Sequence, residues 1–281
     1  MHVLILGVFT TRQIQNLATL TLDRNRLSGT IPSGFSTFNR LRGVNLWGNR
    51  LSGKIPEDMG ELANLNHIQL HDNALSGSIP DWITRMSRLT QLSLSNNNFS
   101  GSIPVGIGGL ESLKRLSLDR NMLIGHVPED IGALINLESL DLSNNELSGN
   151  ISSSVWKSVN LVQIDLSSNM LSGTIPKVMG RSGSGTLRKL KKLDLSGNDL
   201  RGAIPPSIGI ACRDLMELNL TGNKLSGGVP VELLMLSNLT ALGLHGNMLL
   251  IQTFPKTIGA GLCLVREDRF QKCDGSNVRK N

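Results

Sequence analysis

Six residues in the first half of the chain carry side chains suited to recognition: Trp47, His67, His71, Gln91, Arg115 and Asp119. They form two series, because His67, Gln91 and Arg115 are spaced by 24 residues, and so are Trp47 and His71. Tryptophan and arginine are enriched at the centres of protein interfaces. We expect these six residues to form a ligand-binding patch. The alternative is that they are neutral surface residues.

The chain shows no catalytic motif beside this patch. It contains no G-x-S-x-G, no phosphate-binding loop and no H-E-x-x-H, and its acidic residues are scattered. His67 and His71 lie four residues apart, but two histidines without further ligands are a weak sign of a metal site. The sequence therefore predicts neither an enzyme nor a bound metal or cofactor.

The patch is positioned by a sequence repeat, and the clearest sign of this repeat is a series of ten asparagines. Successive asparagines are 24 residues apart six times, and then 29, 25 and 24 residues apart. The series is Asn25, Asn49, Asn73, Asn97, Asn121, Asn145, Asn169, Asn198, Asn223 and Asn247. Periods of 20–50 residues indicate a solenoid. An inward asparagine amide can satisfy backbone groups of a buried turn and of the next rung, so we interpret this series as scaffold.

The consensus is L-x-x-L-x-L-x-x-N-x-L-S-G-x-I-P-x-x-I-G-x-L. The x-L-x-L-x segment alternates with period two, which predicts a five-residue strand with its leucines buried. The S-G-x-I-P segment bends at glycine, buries isoleucine and places proline at an edge. The I-G-x-L segment suits a short 3₁₀ or helical turn. We predict a partial repeat at 1–16, ten repeats over 17–261 and a cap over 262–281.

Several positions depart from the consensus. Residues 181–186 (RSGSGT) are an insertion and should form a flexible loop, followed by a solvated basic edge or an anion-binding patch at Arg188, Lys189, Lys191 and Lys192. Cys212 falls near an inward leucine position and is predicted to be an inert buried thiol. Ser152 stands where most repeats have proline.

Composition limits the partners. The net charge is +6, which favours anionic partners such as acidic polysaccharide. The alternative is that the charge only provides solubility. Because the chain has no long run of lysine and arginine, no nucleic acid partner is predicted. Residues 3–9 (VLILGVF) make a poor signal peptide, and no apolar stretch is long enough to span a membrane.

The repeated unit resembles the plant-specific class of leucine-rich repeat, found in ectodomains of receptor-like kinases and receptor-like proteins and in secreted polygalacturonase inhibitors. The resemblance implies a right-handed α/β superhelix with a concave parallel sheet and a second sheet formed by the S-G-x-I-P segments. It also implies that Cys263 and Cys273 form the disulfide of a C-terminal cap, and that the protein is extracellular, at the cell surface or in the apoplast.

Recognition is the function that the resemblance favours, as a receptor ectodomain that binds a peptide or protein ligand, with a co-receptor as a further partner. The alternatives are a secreted inhibitor of a wall-degrading enzyme and an ice-binding solenoid. An ice-binding surface needs a regular threonine array, which the variable strand positions disfavour.

The strand positions that flank the leucines locate the patch. Rungs six to nine largely repeat D-L-S, whereas rungs two to five vary and include Trp47, which should be exposed about 5 Å from His71. Sequons predict N-glycosylation at Asn98, Asn150, Asn219 and Asn238. A glycan on Asn219 would shield the late rungs, which is consistent with a site on the early ones.

Overall fold

The computed structural model describes residues 16–177 and 187–249 completely, and the backbone of residues 262–265 and 269–272. The chain divides into two compact units. The first runs to residue 137 and includes 144–146; the second holds residues 138–143 and those from 147 onward. The inserted loop at 181–186 and the predicted cysteine pair lie outside the fully described residues.

Each repeat of the first unit contributes two short strands. In chain order the strands are β1 (Thr19–Thr21), β2 (Ser28–Thr30), β3 (Gly43–Asn45), β4 (Arg50–Gly53), β5 (His67–Gln69), β6 (Ala74–Ser78), β7 (Gln91–Ser93), β8 (Asn98–Gly101), β9 (Arg115–Ser117) and β10 (Met122–Gly125). The odd-numbered strands form a parallel main sheet, and the even-numbered strands form a parallel second sheet. The second sheet that the resemblance implied is confirmed.

The second unit repeats this arrangement and adds two α-helical turns. Its elements are β11 (Ser139–Asp141), β12 (Glu146–Asn150), β13 (Gln163–Asp165), β14 (Met170–Ser172), β15 (Lys192–Asp194), β16 (Arg201–Gly202), α1 (Ser207–Ala211), β17 (Glu217–Asn219), β18 (Lys224–Gly227), α2 (Val231–Leu234), β19 (Ala241–Gly243), β20 (Met248–Leu249), β21 (Leu262–Val265) and β22 (Arg269–Lys272). Strands β11, β13, β15, β17 and β19 pair in parallel in that order, and β22 pairs antiparallel with β19.

Alternation of leucine with polar residues buries one face of each main sheet. The central residue of every main-sheet strand is at most 6% exposed, as for Leu20, Val44, Ile68, Leu92, Leu116, Leu140, Ile164, Leu193, Leu218 and Leu242. The strands are three residues long and not five. Backbone pairing continues past them, as from Gly48 N–H to the His71 carbonyl at 3.0 Å, so the bonded rung is longer than the strand.

The asparagine series is structural, as predicted, although its bonds reach back to the preceding rung. Asn97 is a typical member, 8% exposed. Its Nδ2 donates to the carbonyls of Leu94 in its own rung and Leu70 in the rung before, at 3.1 and 3.0 Å. Its Oδ1 accepts the Leu75 N–H at 2.9 Å. Each asparagine from Asn49 to Asn247 therefore joins two consecutive repeats, which fixes the register of the stack, whereas Asn25 bonds within its own rung.

The 3₁₀ turns on the far side of the core are confirmed. They span Phe35–Thr37, Glu57–Glu61, Asp81–Arg85, Ile107–Gly109 and Glu129–Ala133 in the first unit and Ser153–Lys157 in the second. Aspartate links some of them: Asp130 Oδ2 accepts the N–H groups of Gly106 and Gly108 at 2.7 and 3.1 Å. Gly106 has φ +97°, a conformation that glycine adopts without strain.

The structure explains why serine can replace the consensus proline at position 152. Its backbone is extended, and its Oγ accepts the Ser154 N–H at 3.2 Å at the start of the 3₁₀ turn. Serine caps a helical turn by this bond, whereas proline would supply a fixed φ. The two residue types thus start the turn by different means.

Candidate functional site

The six predicted residues all lie in the first unit, on the face of its main sheet that points away from the core. We call this the outer face. His67, Gln91 and Arg115 start consecutive strands and are Cα partners, so they form one row across β5, β7 and β9. Trp47, His71 and Asp119 follow the strands in a second row. The patch is therefore two rows, one at each end of the strands.

The second row contains a three-layered stack. The Trp47 and His71 rings lie parallel, with centroids 4.9 Å apart and an interplanar angle of 10°. The Arg24 guanidinium covers Trp47, with Cζ 4.5 Å from the ring centroid. Stacked aromatic and cation–π contacts each stabilise by about 0.5–1.5 kcal/mol.

Trp47 is therefore half-buried by its own neighbours. The predicted distance to His71 is confirmed, but the prediction of an exposed indole is wrong. Arg24 lies one residue beyond the Trp47 row, at a position where φ is +51°, and its side chain reaches the ring. What the stack leaves to a ligand is the edge of the indole and an exposed guanidinium that carries five N–H donors.

His71 is held in a specific environment. Its Nδ1 lies 3.1 Å from the Ser93 Oγ. Partial burial lowers the pKa of His71 below its ordinary value, while the carboxylates of Asp72, Asp119 and Asp23 act in the opposite direction. The lowered pKa favours the neutral imidazole, in which one ring nitrogen donates and the other accepts.

The carboxylates around His71 are oriented by hydrogen bonds. Ser95 Oγ donates to Asp119 Oδ1, and Asn96 Nδ2 donates to Asp72 Oδ1 at 2.7 Å. Each carboxylate keeps a second oxygen for another donor. The row therefore passes from a cation at Arg24, through two rings, to carboxylates at Asp72 and Asp119.

The first row depends on a missing side chain. A Cβ on Gly43 would lie 2.0 Å from Nε2 of His67, so the imidazole occupies the space that any other residue at position 43 would fill. Gln91 is half-buried and Arg115 is exposed. The register places Gln91 beside His67 and Arg115 beside Gln91, so the three side chains follow one another across the outer face.

The outer face of the second unit is arranged differently. Its D-L-S sequence forms an internal bond in each rung: Ser167 Oγ donates to Asp165 Oδ1 at 2.6 Å, and Ser196 Oγ donates to Asp194 Oδ1 at 2.6 Å. One oxygen of each carboxylate is satisfied within its own rung. The repeated D-L-S motif is thus a structural device, which explains why it varies little.

A groove of about 490 Å³ opens at the end of this second outer face, where Ala241 and Gly243 carry little or no side chain. Asn219 lies in its wall, with Nδ2 donating to Asp194 Oδ2 at 3.0 Å and Oδ1 accepting the Thr221 N–H at 3.2 Å. Sequence reasoning missed this groove, although the small residues of rung ten signal it.

The remaining sequons and charged positions lie at the surface. Asn98, Asn150 and Asn238 are exposed, whereas Asn219 is half-buried. The basic edge is solvated at Arg188, Lys189 and Lys191, and Lys189 Nζ donates to Asn160 Oδ1 at 2.8 Å. The side chains of Arg188, Lys189 and Lys191 are therefore solvated and do not form an anion-binding site in the described residues.

Cys212 is fully buried at the end of α1, as predicted, and burial raises the pKa of its thiol to about 12. Across the described ranges, no three His, Cys, Asp or Glu residues cluster in a way that could hold a metal ion. Within the same ranges, no helix has the length and apolar character needed to cross a bilayer.

Sequence reasoning missed three members of the site: Arg24, Ser93 and Ser95. Ser93 and Ser95 occupy outer-face positions of the repeat and could have been found from the register. Arg24 occupies the left-handed position that precedes the asparagine in successive repeats, but the register alone does not show that its side chain covers Trp47.

Models of the leucine-rich repeat match much of the chain. One matches residues 15–75, 68–123 and 188–249, and another matches residues 136–158 and 160–181. A search of curated protein sequences gave no match.

The solved structures similar to this chain include receptors and a plant ice-binding protein. The plant peptide hormone receptor RGFR1 in complex with RGF2 is 36% identical, with a TM-score of 0.72 over 84% of this chain and 41% of that chain. The Arabidopsis receptor kinase HAESA, in complex with the peptide hormone IDA and the co-receptor SERK1, is 29% identical, with a TM-score of 0.60 over 84% and 46%. A plant ice-binding protein is 28% identical, with a TM-score of 0.72 over 85% and 75%. The chain thus spans less than half the length of the two receptors.

Proposed function

This chain belongs to the leucine-rich repeat family, and we propose that it is a non-catalytic recognition module. It is the ectodomain-like part of a plant receptor-like kinase or receptor-like protein, and it binds a peptide or protein ligand on the outer face of its main sheet, in signalling. The Arg24–Trp47–His71 stack carries this proposal, because it replaces the small polar residues of the later rungs by preorganised aromatic and cationic groups.

Preorganisation is what makes the stack suited to binding. A side chain that is ordered before the ligand arrives loses less conformational entropy on association, at about 0.5–1.5 kcal/mol per immobilised side chain. Arg24, Trp47 and His71 are already ordered by each other, and His71 is also ordered by Ser93. The named peptide complexes of RGFR1 and HAESA support a peptide as the ligand.

The proposal includes an extracellular location and a co-receptor. HAESA was solved with a co-receptor, which supports a second protein partner for this chain. Glycosylation is proposed at the exposed sequons Asn98, Asn150 and Asn238. At Asn219 a glycan would replace the bond to Asp194 and fill the groove of the second unit. Intact mass after secretion from a plant cell line measures how many sequons are used.

Capture of partners from plant extracellular fluid tests the proposal. The immobilised wild-type chain should retain a peptide or protein that Trp47→Ala and Arg115→Ala each lose at least tenfold. Lys192→Ala is the matched control, because Lys192 occupies the Arg115 position of a rung in the second unit. Equal retention by all four proteins would place the binding surface elsewhere.

The match with a plant ice-binding protein favours a second candidate function, since this chain spans three quarters of that protein's length. The outer face of the first unit lacks the flat, repeated threonine array that such a surface needs, because its rows hold Trp47, His71 and Asp119. Ice recrystallisation in the presence of the purified chain, compared with the Trp47→Ala variant, measures this activity directly.

Inhibition of a wall-degrading enzyme, or binding of acidic wall polysaccharide, is the remaining proposal for the partner. It is supported by the net charge of +6. Polygalacturonase activity measured with and without the purified chain tests the former, and retention on immobilised polygalacturonate tests the latter. Neither result would depend on Trp47 if binding used the basic edge at Lys189 and Lys191.

A further inference from the structure

An open groove of about 350 Å³ lies between the helical turns α1 and α2 of the second unit. Gly209 lets the two turns approach each other, because a Cβ there would lie 2.3 Å from the Glu232 carbonyl oxygen. Ile210 and Met235 line the groove and are 55% and 76% exposed. Single exposed apolar side chains are common, but neighbouring ones around a groove are typical of a binding surface. The outer-face site does not use this surface.

The turn that follows α2 carries a sequon beside the groove. The Leu239 N–H donates to the Leu236 carbonyl at 3.3 Å, which closes a turn with Ser237 and Asn238 at its tip. Leu236 and Ser237 line the groove, and Asn238, the next residue, is exposed. Asn238 and Thr240 form the sequon N-L-T. A glycan on Asn238 would therefore begin at the border of the groove.

Asparagines at the same place in two other repeats show what this side chain does when it is structural. Asn64 Nδ2 donates to the Asn39 carbonyl of the preceding repeat at 3.0 Å. Asn136 Nδ2 donates to the Glu111 carbonyl in the same way, at 2.9 Å. Neither asparagine is part of a sequon. Within the described residues the Nδ2 of Asn238 makes no such bond, so this nitrogen is available for covalent attachment.

The lining of the groove suits a sugar ring. A pyranose has a face of C–H groups and a rim of hydroxyl groups, so it needs apolar and polar partners together. Ile210 and Met235 supply the apolar surface, and Arg213 and Glu232 supply donors and acceptors beside it. A mostly apolar lining with a few polar groups is the usual composition of a small-ligand pocket. The groove thus matches the chemistry of the group that the neighbouring sequon would carry.

We propose that Asn238 carries an N-linked glycan whose first N-acetylglucosamine rings occupy the groove between α1 and α2. For attachment, Asn238 Nδ2 bonds to C1 of an oligosaccharide held on a lipid diphosphate. The C1–O bond breaks, the diphosphate leaves with the electron pair, and Nδ2 releases one proton to a base, so no oxidant or reductant is needed. The inference rests on the extracellular location in the proposed function, and it makes this glycan part of the packing of the second unit.

Oxidation of Met235 tests the packing locally, because sulfoxide formation by dilute hydrogen peroxide depends on exposure of the sulfur. In chain secreted from a plant cell line, Met235 should oxidise at least threefold more slowly in wild type than in Asn238→Gln. Met170, which is 51% exposed, is the internal reference and should oxidise equally in both proteins. Asn238 is the residue to change because Thr240 Oγ1 also donates to the Met216 carbonyl, at 3.0 Å.

Thermal unfolding provides the second test. Asn238→Gln should lower the melting temperature of the secreted chain by roughly 2–4 °C, because the contacts of the sugar with Ile210 and Met235 are lost. Asn150→Gln is the matched control, since it also removes an exposed sequon of the second unit, and should lower it by less than about 1 °C. In a Met235→Ser background, Asn238→Gln should have no more effect than this control.

Intact mass shows whether the glycan is attached. A secreted wild-type chain without a glycan on Asn238 overturns the proposal. So does an attached glycan with equal Met235 oxidation in wild type and Asn238→Gln, or with equal melting temperatures for Asn238→Gln and Asn150→Gln. The recognition function fails separately: if extracellular fluid yields no partner while Met235 is protected, that function is contradicted and the glycan site stands.

Discussion

Replacement of Asn97 by alanine tests how the repeats are joined. The Asn97 side chain makes four bonds: Nδ2 donates to the carbonyls of Leu70, Leu94 and Ser95 at 3.0, 3.1 and 3.1 Å, and Oδ1 accepts the Leu75 N–H at 2.9 Å. Asn97→Ala removes all four from a site that is 8% exposed. The four bonds do not contribute equally.

All three carbonyls keep another donor in the variant. Asn73 still donates to Leu70 and Asn121 to Leu94, both at 3.1 Å, and the Asp72 N–H still donates to Ser95 at 3.0 Å. The Leu75 N–H instead loses the Asn97 acceptor, and an orphaned buried N–H destabilises by about 1–3 kcal/mol. Adding about 0.5–1 kcal/mol for each of the three weakened carbonyls gives an expected loss of about 4 kcal/mol.

Asn25 is the matched control because it opens the series. It is exposed and donates to the carbonyls of Leu22 and Asp23 at 3.1 and 3.0 Å. Asn25→Ala should reduce the free energy of unfolding by less than about 1 kcal/mol, since water can replace these bonds. Urea unfolding measures both variants, and hydrogen exchange of the Leu75 amide should accelerate in Asn97→Ala. Equal losses for the two variants would refute the account of the asparagine series.

Three further predictions concern the site and its supports. Gly43→Ala should displace the His67 ring, seen by NMR, while changing stability by less than about 1 kcal/mol, because the clash is with the mobile tip of the ring. Asp130→Ala should lower the free energy of unfolding by about 1–3 kcal/mol, because the hydrogen bond to the Gly106 N–H is lost. Asp130→Asn keeps an acceptor and should lower it less. Calorimetric unfolding of both variants measures the difference. Burial lowers the pKa of His71, so the stability that its neutral ring contributes is complete above the ordinary value of about 6.5 and is lost as the pH falls toward the folded-state value. Between about pH 8 and 5 the wild type should therefore lose more stability than His71→Gln, and parallel curves would contradict this.

Much of the fold follows from the sequence because the same short pattern is repeated. Leucine alternation determines the buried face of each strand, and the asparagine spacing determines which residues become neighbours. The register of His67, Gln91 and Arg115 was therefore predictable, as was the distance from Trp47 to His71. Interactions between residues 24 apart behave almost like local ones in such a fold.

The environment of individual side chains was less predictable. The position of Trp47 was found from the register, but its burial depends on the Arg24 guanidinium that covers the ring. The space for His67 depends on the absence of a Cβ at Gly43. Both effects are three-dimensional packing between adjacent rungs, and the hydrophobic pattern of one repeat contains no information about them.

By itself, the sequence determined the repeat, its two sheets, the structural asparagines and the part of the chain in which recognition chemistry concentrates. It could do so because periodic burial of leucine permits one arrangement of neighbours. Only the tertiary structure decided which polar atoms are satisfied: one oxygen of each D-L-S carboxylate within its own rung, both amide atoms of Asn219, and not Oδ1 of Asn45. Hydrogen bonding depends on atomic distance and direction, and these are defined when the side chains of consecutive rungs pack together.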